Sequence, residues 1–138
     1  MITLRKVTLH VGRRGVFLIL FGVVYGLLGY SYLQVPVTPA VHRALHVALN
    51  VAPLSVYAWA WITAGIICAA AGLLSPRRKP VGFAVAMLMP ALWAAVFLIA
   101  WVNGDMPRGW TSAVVFAALA GAVGVVAGMQ DTREMGLR

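Results

Sequence analysis

The chain alternates long apolar runs with short polar connections. Four runs stand out: Gly15–Gln34, Leu54–Leu74, Val81–Val102 and Trp110–Met129. They are 20, 21, 22 and 20 residues long, and none contains Asp, Glu, Lys, Arg or His. At about 1.5 Å per residue each reaches about 30 Å, the thickness of the hydrocarbon core of a bilayer. Backbone groups in lipid must find their hydrogen bonds within the segment, so runs of this kind are helices. The pattern therefore predicts an all-α integral membrane protein, a single four-helix domain over residues 1–138. The connections are 19, 6 and 7 residues long and the tails 14 and 9, which leaves no room for a soluble domain.

The longest connection carries a pattern of its own. Thr38-Pro39 is a helix start, a hydroxyl cap followed by proline at the first helical position. From there His42, His46 and Asn50 recur every four residues, with Arg43 beside the first. Val41, Leu45, Ala48, Leu49 and Ala52 fall largely on the other side, and Pro53 ends the segment. This spacing predicts a short amphipathic helix over about 39–50, lying in the membrane interface between the first two spans with its polar face to water. Two histidines at this spacing can share a zinc ion, but a site needs three or four ligands, and no Cys, Asp or Glu lies nearby in the sequence. We expect no metal and no cofactor there.

Charge sets the orientation. Arg5, Lys6, Arg13 and Arg14 precede the first run, Arg77, Arg78 and Lys79 follow the second, and Arg133 and Arg138 follow the fourth. All nine lie on one side of the membrane, against Arg43 and Arg108 on the other. The positive-inside rule predicts both termini in the cytoplasm, in a cytoplasmic (inner) membrane crossed several times. The basic collar, with Arg13, Arg14, Arg77, Arg78 and Lys79 nearest the spans, is expected to meet anionic lipid headgroups. The formal net charge of +8 would otherwise suggest nucleic acid, but charge gathered at the ends of membrane helices has headgroups as its simpler partner. Tyr30, Tyr32, Tyr57, Trp59, Trp61, Trp101 and Trp110 form the expected aromatic belt at the outer interface, with only Tyr25 and Trp93 deeper. The segment "RRGVFL" resembles a twin-arginine export signal. Its apolar run is too long for a cleaved signal, and "VPVTPA" after it lacks a small-x-small site.

The chemistry of the runs is sparse. Proton-coupled transport needs ionisable groups at membrane depth, and intramembrane hydrolysis needs a positioned nucleophile with a base or a metal. The acidic residues Asp105, Asp131 and Glu134 all lie in connections or tails, and no run combines a hydroxyl with a histidine. Cys68, the single cysteine, excludes an intrachain disulfide and reads as a small packing residue. No polar stripe runs through any span, which disfavours a selective ion channel. The chain is not expected to be an enzyme.

Packing signals are richer. Gly15, Gly22, Gly26 and Gly29 share a face of the first run. Gly65, Cys68, Ala69 and Gly72 make a shorter stripe in the second, and Ala117, Gly121, Gly124 and Gly128 one in the fourth. "GVVYG" and "GVVAG" are both G-x-x-x-G, a spacing that lets helix backbones approach closely in lipid. The pattern leaves open whether these faces pack within one chain or between chains. Pro90, mid-way along the third run, is expected to kink it.

The Ala/Gly/Val-rich runs, nine Arg against two Lys, and the short charged tail "QDTREMGLR" resemble the small four-helix membrane proteins of phages of high-GC bacteria. The resemblance is holin-like, and it implies a protein that oligomerises and breaches the membrane. The alternative is a structural accessory subunit of a larger membrane complex.

Overall fold

The computed structural model describes residues 12–74 and 79–129, and within them the chain is all helix and connection. The helices are α1 (Arg13–Gln34), α2 (Pro39–Ala44), α3 (His46–Leu49), α4 (Leu54–Leu73), α5 (Lys79–Val102) and α6 (Gly109–Gly128). Four of them, α1, α4, α5 and α6, are long and apolar enough to cross a membrane. The chain has the build of a multi-pass membrane protein. Two helix starts lie two residues ahead of the sequence reading. α1 begins at Arg13 and α5 at Lys79, so these basic residues and Arg14 belong to the first turns of spans rather than to the connections.

α1 and α4 pack most closely. A Cβ on Gly72 would lie 2.6 Å from the Gly15 carbonyl oxygen, one on Gly22 2.6 Å from that of Gly65, and one on Gly29 2.5 Å from that of Ala58. The contacts pair residues 15 with 72, 22 with 65 and 29 with 58, a step of seven along both antiparallel helices. Seven residues are close to two turns, so one seam stays in register over the whole length. Gly22 and Gly65 are reciprocal, since each Cβ would strike the other's carbonyl. Backbones this close gain dispersion and weak Cα–H···O contacts that no larger residue permits.

Gly22, Gly29, Gly65 and Gly72 are thus consumed within the chain. Gly26 is not a packing glycine in the same sense: its own Cβ would meet nothing within 4 Å, although its backbone touches the Gly65 position. The seam follows the seven-residue step, not the G-x-x-x-G pair.

α5 packs on the other side of this pair, and α6 folds back mainly against α5. The turn between them needs Gly104, whose φ of +80° is left-handed. Gly109, at the start of α6, comes so close to α5 that a Cβ would lie 2.8 Å from the Phe97 carbonyl oxygen.

An aromatic column fills the centre. Phe17 and Phe21 stack at 4.4 Å, and Tyr25 meets Trp61 edge-on at 4.8 Å. Trp61 meets Trp93 at 5.8 Å, and Trp93 meets Tyr57 at 5.2 Å. Trp61 was expected in the outer belt, yet it is wholly buried here, while Trp59, Trp101 and Trp110 remain exposed. Two positions along a helix is a turn of about 200°, so Trp59 and Trp61 point to opposite sides.

Candidate functional site

The end of the bundle that holds Arg14 and Lys79 is its basic end. Arg13 is exposed there. Arg14 is turned inward. Its Nη2 donates to the Ala127 carbonyl oxygen at 2.9 Å, and the guanidinium lies 5.0 Å from the centre of the Phe83 ring. Ala127 is in the last turn of α6, where carbonyls lack helical donors and the helix dipole is negative. A residue of α1 therefore caps α6 from outside. Lys79 is buried, at 5% exposure, and Arg14 is only partly exposed, so neither is as open as the headgroup reading supposed. Arg77 and Arg78 lie outside the described residues. An apolar groove of about 370 Å³, lined by Ile67, Ala70, Ala71, Leu74 and Val81, opens between α4 and α5 near this end.

The opposite end is closed by α2 and α3. The Thr38 hydroxyl accepts from the Val41 N–H, and Pro39 takes the first helical position, as the sequence indicates. The single helix expected over 39–50 is instead two short ones, broken at Leu45 (φ −111°, ψ 17°). The apolar side does not face lipid alone. Leu45 and Ala48 are buried with Leu54 against Tyr57, Val96 and Phe97, and the Tyr57 hydroxyl donates to the Ala48 carbonyl at 2.7 Å. Burying this side on protein removes it from water and ties the segment to the spans.

On its polar side His42, Arg43 and Asn50 are exposed, while His46 is only partly so. Asp105 comes to it from the α5–α6 turn, with His46 Nδ1 3.6 Å from Asp105 Oδ2, and Asn50 Nδ2 lies 3.1 Å from His46 Nε2. At 3.6 Å the first contact is too long for a hydrogen bond and becomes an ion pair only when the imidazole is charged. Sequence separation hid this partner, 59 positions away. Among the described residues no group of three His, Cys, Asp or Glu side chains could hold a metal ion.

Polar groups in the spans are few. The Trp93 indole N–H donates to the Tyr32 hydroxyl at 3.0 Å, and the Tyr25 hydroxyl donates to the Ala86 carbonyl at 2.5 Å. The Trp61 indole N–H is buried without a partner.

The surface of α6 differs from those of its neighbours. α1 shows Val16, Leu20, Val23, Val24 and Leu27 to the outside; α4 shows Val56, Trp59, Ile66 and Ile67; α5 shows Leu88, Leu92, Leu98 and Ile99. On α6 the middle of the outward face is Ala117, Ala118, Gly121 and Ala122, between Val114, Val115 and Val125. A Cβ on Gly121 or Gly128 would meet nothing, and one on Gly124 only Met87 Sδ, at 3.6 Å. Only 17% of the apolar window of α6 is buried, against 39% for α4, so α6 is the least enclosed span. The glycines open to the outside on α6 are thus Gly121 and Gly128, while Gly22 of the first G-x-x-x-G is closed in the α1–α4 seam. Comparison with known protein families, with curated proteins and with solved structures finds no match.

Proposed function

We propose that this chain is a small integral-membrane protein without catalytic chemistry that works by assembly, through the open face of α6, with a second copy as its first neighbour. The observation that carries the reading is the contrast between α6 and the other spans. A helix that meets only lipid has no use for a smooth, small-residue face, whereas a helix that meets another backbone closely does. In this reading both termini are cytoplasmic, by the nine-to-two distribution of basic residues. The basic collar then rests on anionic headgroups of the inner leaflet. Copies inserted the same way up pair about an axis along the membrane normal, so α6 meets its counterpart in parallel and Gly121 lies near its own symmetry mate.

In its holin-like form, assembly grows until the membrane is breached. The accessory-subunit form has its own support, because one small-residue face serves one neighbour and suits a complex of fixed stoichiometry.

The deciding experiment compares wild type with Gly121→Leu. The variant is expected to insert and fold, since nothing opposes a side chain there, but to lose self-association by crosslinking in membranes. Induction of the wild type in a bacterial host is expected, after a delay, to collapse the membrane potential, and induction of Gly121→Leu is not. Harmless induction with co-purification of other membrane proteins at fixed ratio would select the accessory role. Wild type that stays monomeric in membranes would overturn self-assembly.

Orientation has its own test. Reporter fusions at Arg138 and in the "SPRRKP" connection are both expected to read cytoplasm, and a signal from the opposite side at either site reverses the topology.

A further inference from the structure

Proline at position 90 has no N–H, so the Ala86 carbonyl four residues earlier loses its helical donor. Both residues are fully buried, and α5 continues unbroken from Lys79 to Val102. An unpaired carbonyl in a bundle core within a bilayer is costly, because neither lipid nor water replaces the bond. The donor comes from another helix. The Tyr25 hydroxyl on α1, itself wholly buried, reaches that same carbonyl at 2.5 Å.

We propose that Tyr25 is the latch of a hinge at Pro90. The gap in the α5 ladder is the weak point of that helix, and the phenol closes it from outside. With the latch made, the half of α5 before Pro90 is tied to α1 through Tyr25, as the half after it is through the Trp93–Tyr32 hydrogen bond. With it broken, the half that runs from Lys79 to Met89 loses that hydrogen bond to α1 and can bend about Pro90. That half carries Met87, whose sulfur faces the Gly124 position of α6. Bending therefore moves one of the residues that α6 packs against, a step that matters for assembly only if the α6 reading holds. The latch itself does not depend on that reading.

The latch predicts an unusual dependence between two residues. Tyr25→Phe removes one oxygen and keeps the ring in the aromatic column. Pro90→Ala restores an N–H to serve the Ala86 carbonyl, and the hydroxyl then has nothing to close. The purified protein is unfolded with increasing SDS in detergent micelles and its helix content followed by circular dichroism. Tyr25→Phe alone is expected to raise the unfolding constant roughly threefold to twentyfold, the range for side-chain hydrogen bonds between membrane helices. In the Pro90→Ala background the same change is expected to have no effect or to lower the constant. Equal effects in both backgrounds, or none in the wild type, overturn the latch. Should Pro90→Ala not fold, hydrogen exchange of Tyr25→Phe alone still tests it. Faster exchange confined to α5 around residues 87–94 is expected, and exchange that rises evenly over all spans, or not at all, rejects it.

Discussion

Gly65→Ala is expected to destabilise the bundle, while Gly26→Ala, on the facing helix, leaves its stability unchanged or raises it. One methyl group added at Gly65 would sit 2.6 Å from the Gly22 carbonyl oxygen and 2.9 Å from the Gly26 nitrogen, both backbone atoms that cannot swing aside. α1 and α4 must part for it to fit, and every contact along their seam loosens. Overpacking of this kind costs about 1–3 kcal/mol. A methyl at Gly26 meets nothing within 4 Å. There, alanine only narrows the unfolded ensemble and favours the helix, by roughly 0.4–1 kcal/mol. SDS titration of the two variants measures both signs. Equal effects would mean that the seam does not lie at Gly22 and Gly65.

Trp61→Ala is expected to cost about 3–5 kcal/mol, as for large aromatic truncations in well-packed cores. Trp59→Ala, two positions away, should cost only a small fraction of that. Trp61 is fully enclosed and touches Tyr25 and Trp93 edge-on, whereas Trp59 is 60% exposed on the outside of the bundle. The comparison is read from thermal unfolding in detergent. A cost at Trp59 equal to that at Trp61 would return Trp61 to the interfacial belt.

The two tryptophans also mark how far sequence reading carries. Hydropathy alone locates all four spans, because length and freedom from charge are properties of a run and need no knowledge of neighbours. It does not say which side of a span faces protein. The runs are apolar all round, so the usual contrast between wet and dry faces is missing. What remained readable was residue size, and the signal lay at the spacing of seven shared by Gly15, Gly22 and Gly29 with Ala58, Gly65 and Gly72. The G-x-x-x-G pairs drew attention instead. Arg14 and Lys79 belong by sequence to a basic collar at one membrane face, which points them to anionic headgroups. No local rule could show that Arg14 finds the Ala127 carbonyl 113 positions away. His46 and Asp105 met through the same kind of long-range closure. The latch between Tyr25 and the carbonyl before Pro90 was half visible, since the proline announces an orphaned carbonyl but not its rescuer.

The seam between α1 and α4 has a consequence for biogenesis. Of the four spans these two leave the ribosome ahead of the others, and their closest contacts need nothing from α5 or α6. The segment that carries α2 and α3 links them, so the tightest interface of the protein can close while the second half is still being synthesised. α5 then arrives at a finished pair, and its proline-broken ladder is completed by a hydroxyl already in place. α6 follows these three, against a helix that has just docked, with Arg14 waiting for its final turn. Of the four spans, the one that emerges after the others, α6, is also the one least enclosed by them.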